Sequence, residues 1–348
     1  MKNLCRDCAL GLLFILFAAG PHLTAQPTLD EMRTGIECSL QQEYQAALDL
    51  FADLHERYPD HPAPPFFLAA VYQSMMLDFE TKRWEEQFYH WIDRAIDLAE
   101  NSPPDPDDEI PADFFLGAAL SYKSYQLARD KKPLAAIKLG LTSIRHLKNT
   151  TSRDSTFCDP LVGVGSYLYW RSRLTRMFNW LPFFADEREK GIEMLKEKGR
   201  CSLLTRHFAL SNLAWIYIEE ERYAEAVEAA EQGLALFPQS RFFLWPLAEA
   251  HFRAGDHRSS LLYFVRLLNS IRQEPINNRY NEIVVQWKIA NSCAELEMIP
   301  QAISACEQLL ALEPDPEVAD RAEQMFRKAD KLLQQLRQEM AVSPGPAP

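Results

Sequence analysis

The chain has 348 residues and a formal charge of −12, from 37 basic against 49 acidic side chains. Hydrophobic residues make up 47% and glycine occupies only 12 positions, a balance that suits a helix-rich folded protein and argues against long disordered tracts. An acidic body repels phosphate backbones, so nucleic-acid binding is disfavoured.

Residues 1–25 read separately from the rest. Lys2 and Arg6 precede an apolar run over 9–19, and Leu23-Thr24-Ala25 offers a cleavage site with Gln26 starting the mature chain. The run is too short to span a bilayer and suits the hydrophobic part of an export signal. The expectation is a periplasmic or secreted protein, with a retained N-terminal anchor as the alternative. Without Lys2, Arg6 and Asp7 the remainder carries 35 basic against 48 acidic residues, or −13. No membrane span is expected in this mature part. Its five cysteines, Cys38, Cys158, Cys201, Cys293 and Cys306, form no C-x-x-C pair. Cys293 and Cys306 fall at core positions and are expected as buried thiols.

From residue 28 onward the chain resolves into helix pairs. Unit one covers 28–61 with Gly35, Tyr44, Ala47, Phe51 and Pro59. Unit two opens at Pro62 with Leu68, Ala69 and Tyr72, and 75–84 delays its second helix to 87–100. The acidic stretch 103–111 lacks the glycine and terminal glutamate of a calcium loop and reads as a solvated linker. Unit three carries Leu116, Gly117 and Leu120, with a second helix from Pro133 to Leu147. Unit four starts with Asp159-Pro160 as cap and first-turn proline, places Val162, Gly163 and Ser166 at the helix crossing, and has its second helix at 187–198. Within it, 178–185 is an insertion. Units five (207–240) and six (241–274) are regular, although Pro246 is expected to shorten or kink the start of a helix. Unit seven spans 283–316, a capping helix covers 317–340, and the Pro-rich tail 341–348 is expected to be disordered.

The spacing is specific. Leu213→Leu247, Ala214→Ala248 and Gly35→Ala69 are each separated by 34 positions. With Leu213, Ala214, Tyr217, Tyr223, Ala226 and Pro238 in register, the chain resembles the tetratricopeptide repeat family. Phe114-Phe115-Leu116-Gly117 and the stretch from Gly165 to Trp170 also resemble bacterial relatives of the fungal inclusion-body clearance proteins. The resemblance implies an all-α, right-handed solenoid over 28–316, irregular in 75–205, acting as a non-catalytic scaffold for a protein or peptide. It implies no cofactor.

In this family the concave face is lined by the first helix of each unit. Read off units five to seven, those positions are Phe208, Ser211, Trp215 and Ile218, then Phe242, Trp245, Glu249 and Phe252, then Val284, Trp287, Asn291 and Ala294. Phe208, Trp215, Phe242, Trp245, Phe252 and Trp287 are the candidate partner contacts, because several bare aromatic rings in water call for cover. The insertions folding into the hollow are the bland alternative. Arg171, Arg173 and Arg176, interleaved with aromatics, could contact an anion, or could form the basic side of an ordinary amphipathic helix. A carboxylate clamp is not expected, since only Asn212 occupies such a position. His251, Asp256 and His257 sit at a turn and do not read as a metal site. Gly163-x-Gly165-Ser166 fits a helix crossing better than a nucleophile elbow. A self-associating component of an envelope assembly is the other functional reading.

Overall fold

The computed structural model describes residues 26–102, 110–175 and 185–342, so the leader 1–25, most of the predicted linker 103–111, nearly all of the predicted insertion 178–185 and residues 343–348 of the predicted tail lie outside the described residues. Among the described residues there are fifteen helices. Seven antiparallel pairs follow one another: α1 (Leu29–Leu40) with α2 (Tyr44–Arg57), α3 (Ala63–Asp78) with α4 (Glu85–Asn101), α5 (Ala112–Arg129) with α6 (Pro133–Arg153), and α7 (Asp159–Leu174) with α8 (Arg188–Cys201). Then come α9 (Arg206–Glu219) with α10 (Tyr223–Leu236), α11 (Arg241–Arg253) with α12 (His257–Gln273), α13 (Tyr280–Glu295) with α14 (Ile299–Leu310), and the final α15 (Ala319–Val342). Each helix packs on its successor, and first helices of neighbouring units also touch, as in α1 with α3 and α9 with α11. That is the packing of an α-solenoid.

Local chemistry sets the boundaries. Thr28 and Glu31 form a capping box that satisfies the first backbone donors of α1. At the turn inside the units, Gln42, Glu80, Lys131, Glu221, Gly255 and Glu297 adopt positive φ between 53° and 79°. In all six of these turns the next residue's N–H returns to a carbonyl of the preceding helix, as in Arg222 to Tyr217 at 2.8 Å. The small residues predicted at the crossings are where close approach requires them. A Cβ on Gly35 would lie 2.3 Å from Phe51 Cζ, and one on Gly191 would lie 2.7 Å from the carbonyl oxygen of Gly165.

Several expectations are corrected. Residues 75–78 continue α3 rather than delaying the pair, and α4 starts at Glu85. Helix α6 runs to Arg153, past the predicted end at Leu147. Pro246 neither shortens nor displaces α11, which keeps its start at Arg241 with the proline buried inside it. Asp159 is not a cap but the first residue of α7. Its buried carboxylate accepts the N–H groups of Leu203, Leu204 and Thr205 at 2.7–2.8 Å, tying the approach to α9 onto α7. Cys158 and Cys201 form a disulfide at the same end of the pair, which spacing did not foretell. Cys293 and Cys306 are free and buried, as read, and burial raises both thiols. The capping helix covers the stack with Ala322, Ala329, Leu333 and Leu336, preceded by the buried Val318, and extends past residue 340 into the predicted tail.

The stack also closes on itself. Arg241, at the start of α11 and 3% exposed, donates to Asp78 at the end of α3 (2.9 Å) and to Glu274 (2.5 Å), and lies 5.8 Å from the Phe79 ring. Gln42 Oε1 accepts the Arg241 N–H at 3.0 Å. Nearby, Asn281 donates to the Asp78 carbonyl, Asn278 to the Glu80 carbonyl, and Arg321 to the Glu80 carboxylate. Arg33 on α1 reaches the Leu203 carbonyl at 3.1 Å. Units one and two thus meet the α8–α9 connection, units six and seven and the capping helix across about 160–240 positions of sequence. Burial opposes the Arg241 charge, and Asp78 and Glu274 outweigh it, so its pKa is raised.

Removing one side of a buried ion pair leaves the other uncompensated. Arg241→Ala should lower unfolding free energy by about 3–5 kcal/mol, read from urea titrations, and a loss below about 1 kcal/mol would show that the closure is not built on this residue. A second expectation concerns pH. His61 and His207 are partly buried, and burial lowers each pKa to about 4, against about 6.5 when unfolded. Between these values the unfolded chain binds more protons, so stability should fall as pH drops from about 6.5 and level off below about 4. His61 Nδ1 accepts the Ala63 N–H at 3.1 Å. His61→Asn keeps an acceptor without a titrating ring and should flatten part of that slope, and an unchanged slope would exclude His61 as a source.

Candidate functional site

The aromatic positions come from α9, α11 and α13, the first helices of units five to seven. Phe208 and Trp215 on α9 are half-buried against the core of units four and five, as Trp170 is. On α11, Phe242 is 39% exposed and meets Phe243 edge-on at 5.3 Å. Trp245 and Phe252 are half-buried and stand edge-on to Phe264, at 6.4 and 6.2 Å. Lys288 of α13 places its ammonium 3.9 Å above the Phe252 ring. Trp287 packs beside Met325 and Phe326 of α15, with Lys328 at 5.9 Å. The six rings therefore do not form one bare strip. Trp245 and Phe252 lean on Phe264 within unit six, Trp287 belongs to the contact with the capping helix, and Phe242 presents the most open ring of the six. Ser211 and Ile218, read as lining residues, are buried.

A line of charge crosses the same helices. Arg173 of α7 pairs with Glu219 of α9, Glu219 with Arg253 of α11 at 3.5 Å, Arg253 with Glu249 at 2.8 Å, and Glu249 with Lys288 of α13 at 2.7 Å. Each partly exposed pair contributes little to stability. Together they link the first helices of four successive units and give the aromatic face a polar border. The sequence contained the pieces, but pairing across units needs the register of every first helix.

The arginines considered as an anion site are engaged within the chain. Arg171 pairs with Glu187 and lies 5.7 Å from the Tyr167 ring, and Arg173 takes part in the charge line. Arg176 lies outside the described residues. Asn212, the one clamp-like position, accepts from Ser166 Oγ at 2.9 Å and Trp170 Nε1 at 3.3 Å, so its carbonyl faces α7. His251 and Asp256 form a pair at 3.0 Å, and no metal-binding cluster occurs among the described residues. No described helix is long and apolar enough to cross a membrane.

A second concavity lies beside the closure. A cleft of about 230 Å³ is lined by Phe79, Thr81, Arg83, Asn277, Asp315 and Glu317 together with Pro275, Ile276 and Asn278. It draws on three separated stretches of chain, so no local motif announced it.

Comparison with known proteins adds the following. A tetratricopeptide repeat model matches residues 207–240, which are α9, α10 and the turn after them. Among solved structures, the C-terminal part of a TPR repeat-containing protein from Cytophaga hutchinsonii is similar at 17% identity, covering 85% of this chain and 99% of that one, with a TM-score of 0.40. The Cut9–Hcn1 hetero-tetramer of the APC/C is similar at 13% identity, covering 89% of this chain and 67% of that one, also with a TM-score of 0.40. A search of curated proteins gave no match. The helix pairs that follow one another among the described residues, with small residues at their crossings, make an α-solenoid, and residues 207–240 match the tetratricopeptide repeat.

Proposed function

We propose that this protein is an exported, non-catalytic scaffold that holds a protein or peptide segment against the first-helix face of units five to seven. The observation that carries the reading is the succession of rings on α9 and α11, ending in the exposed Phe242 and bordered by the Arg173–Lys288 charge line. Such a face suits a partner that inserts apolar side chains beside Phe242 and Trp245 and sets polar groups over Glu249 and Arg253. Affinity in interfaces of this kind concentrates in a few central aromatic and arginine residues. Trp287 serves the capping-helix contact and stands at the end of the face.

Export is supported by the leader composition of 1–25 and by the Cys158–Cys201 bridge, since disulfides persist in oxidising compartments. In protein recovered from the cell envelope, Cys158 and Cys201 should resist alkylation until reduced, while Cys38 should react once the chain is unfolded. Two free thiols at 158 and 201 in that material would count against export.

The binding face can be tested with a photo-cross-linking residue at position 242, on α11, and in parallel at position 262 on the outer helix α12. Adducts with one defined partner are expected at 242 and not at 262. For that partner, Phe242→Ala and Trp245→Ala should each weaken binding at least about tenfold. Equal adducts at both positions, or unchanged affinity in both variants, would remove this face from consideration.

A further inference from the structure

Helix α6 departs from the charge of the molecule around it. It has 21 residues and not one carboxylate, in a chain with 49 acidic residues. Its outward side carries Leu134, Ile137 and Leu141, which are 84%, 61% and 52% exposed. Spaced at i, i+3 and i+7, they form one ridge. Lys138, Arg145 and Lys148 on the helix, with Lys131 and Lys132 just before it, are all exposed and surround that ridge. Neighbouring acids are already engaged, Asp130 by Lys82 and Asp113 by Arg153. The five cations pair with no described residue. Ser124 of α5 donates to the Ala136 carbonyl at 2.8 Å, and the next residue, Tyr125, is 50% exposed.

We propose that the outer face of α6 is a membrane-surface contact, lying flat on a bilayer that displays anionic headgroups. The chemistry favours lipid over a protein groove. The apolar side chains stand on a convex ridge, so a plane can bury all three at once while the surrounding cations meet phosphates at headgroup depth. A tyrosine at the edge suits the same interface. Charge complementarity selects the anionic surface, because a second copy meeting this face with its own would set the exposed Lys131, Lys132, Lys138, Arg145 and Lys148 against their counterparts. The face belongs to a second helix of unit three, while the partner face lies on α9 and α11, so a partner held there and a bilayer held by α6 use different residues.

The test is flotation of chain 26–348, which contains every described helix, with vesicles of phosphatidylcholine alone or with 30 mol% phosphatidylglycerol as probes. Association is expected with the anionic vesicles only, weakening as salt rises. Each Lys→Gln change at 131, 132 or 138 should lower partitioning about fivefold, and Leu134→Ser/Ile137→Ser/Leu141→Ser together at least about tenfold. These side chains are exposed, and circular dichroism identical to the unaltered chain verifies that the fold is retained. Absence of association with anionic vesicles, or association unchanged in the triple variant, overturns the proposal. So does loss of a dimer in the triple variant, which would assign the ridge to a copy-to-copy interface. A polarity-sensitive dye on Leu134→Cys must report water in the lipid-free protein and apolar surroundings on vesicles. A dye already shielded without lipid would show that the chain covers its own ridge.

Discussion

One buried guanidinium decides the shape of this solenoid. A stack of helix pairs is open-ended by nature, because each unit needs only its neighbours. Here Arg241 is taken out of water at the start of α11, and it is tolerable there only because Asp78 and Glu274 neutralise it and Gln42 accepts from its backbone. Three of these groups belong to different units. The contact therefore exists only when the second and sixth pairs are brought together, and the polar groups of Asn278, Asn281 and Arg321 gather around the same seam. Buried Glu282 anchors the adjoining linker. Burial pushes its carboxyl up, and Arg272 and Arg279 outweigh that effect to hold its pKa below the usual range.

Much of the fold was legible because the packing of one helix pair on the next is a local matter. Gly35 must be small because Phe51 occupies the space a side chain would need, and that demand repeats every 34 residues wherever the pairs are regular. Units five and six show this plainly. Legibility failed where the determinant was distant or lay outside the period. Asp159 looked like a helix cap because it precedes a proline, yet its carboxylate serves donors 44–46 positions away. Pro246 looked disruptive, but it is buried within an intact α11, so packing prevails over its local cost. The Cys158–Cys201 bridge follows from where α7 begins and α8 ends, which only the fold reveals. Arg241 was simply the first residue of unit six, and no window of sequence could pair it with Asp78.

For the aromatic face, residue type was readable and exposure was not. The same period that placed Phe242, Trp245 and Phe252 on one side could not say how far each leans into the seam. Phe264 from the next helix takes up the latter two, and α15 takes up Trp287. The face that results has an open ring at one end and a charge line along its border. Helix α6 offers a second, chemically different surface in unit three. A scaffold with one protein-binding face and one lipid-binding face would hold its partner at a membrane without crossing it.

Closure is the claim on which the geometry of both surfaces rests, and solution scattering measures it directly. Small-angle X-ray scattering of chain 26–348 should give a pair-distance distribution matching one closed turn, and Arg241→Ala should shift that distribution to longer distances. An extended profile for the unaltered chain, with units two and six far apart, would contradict the account.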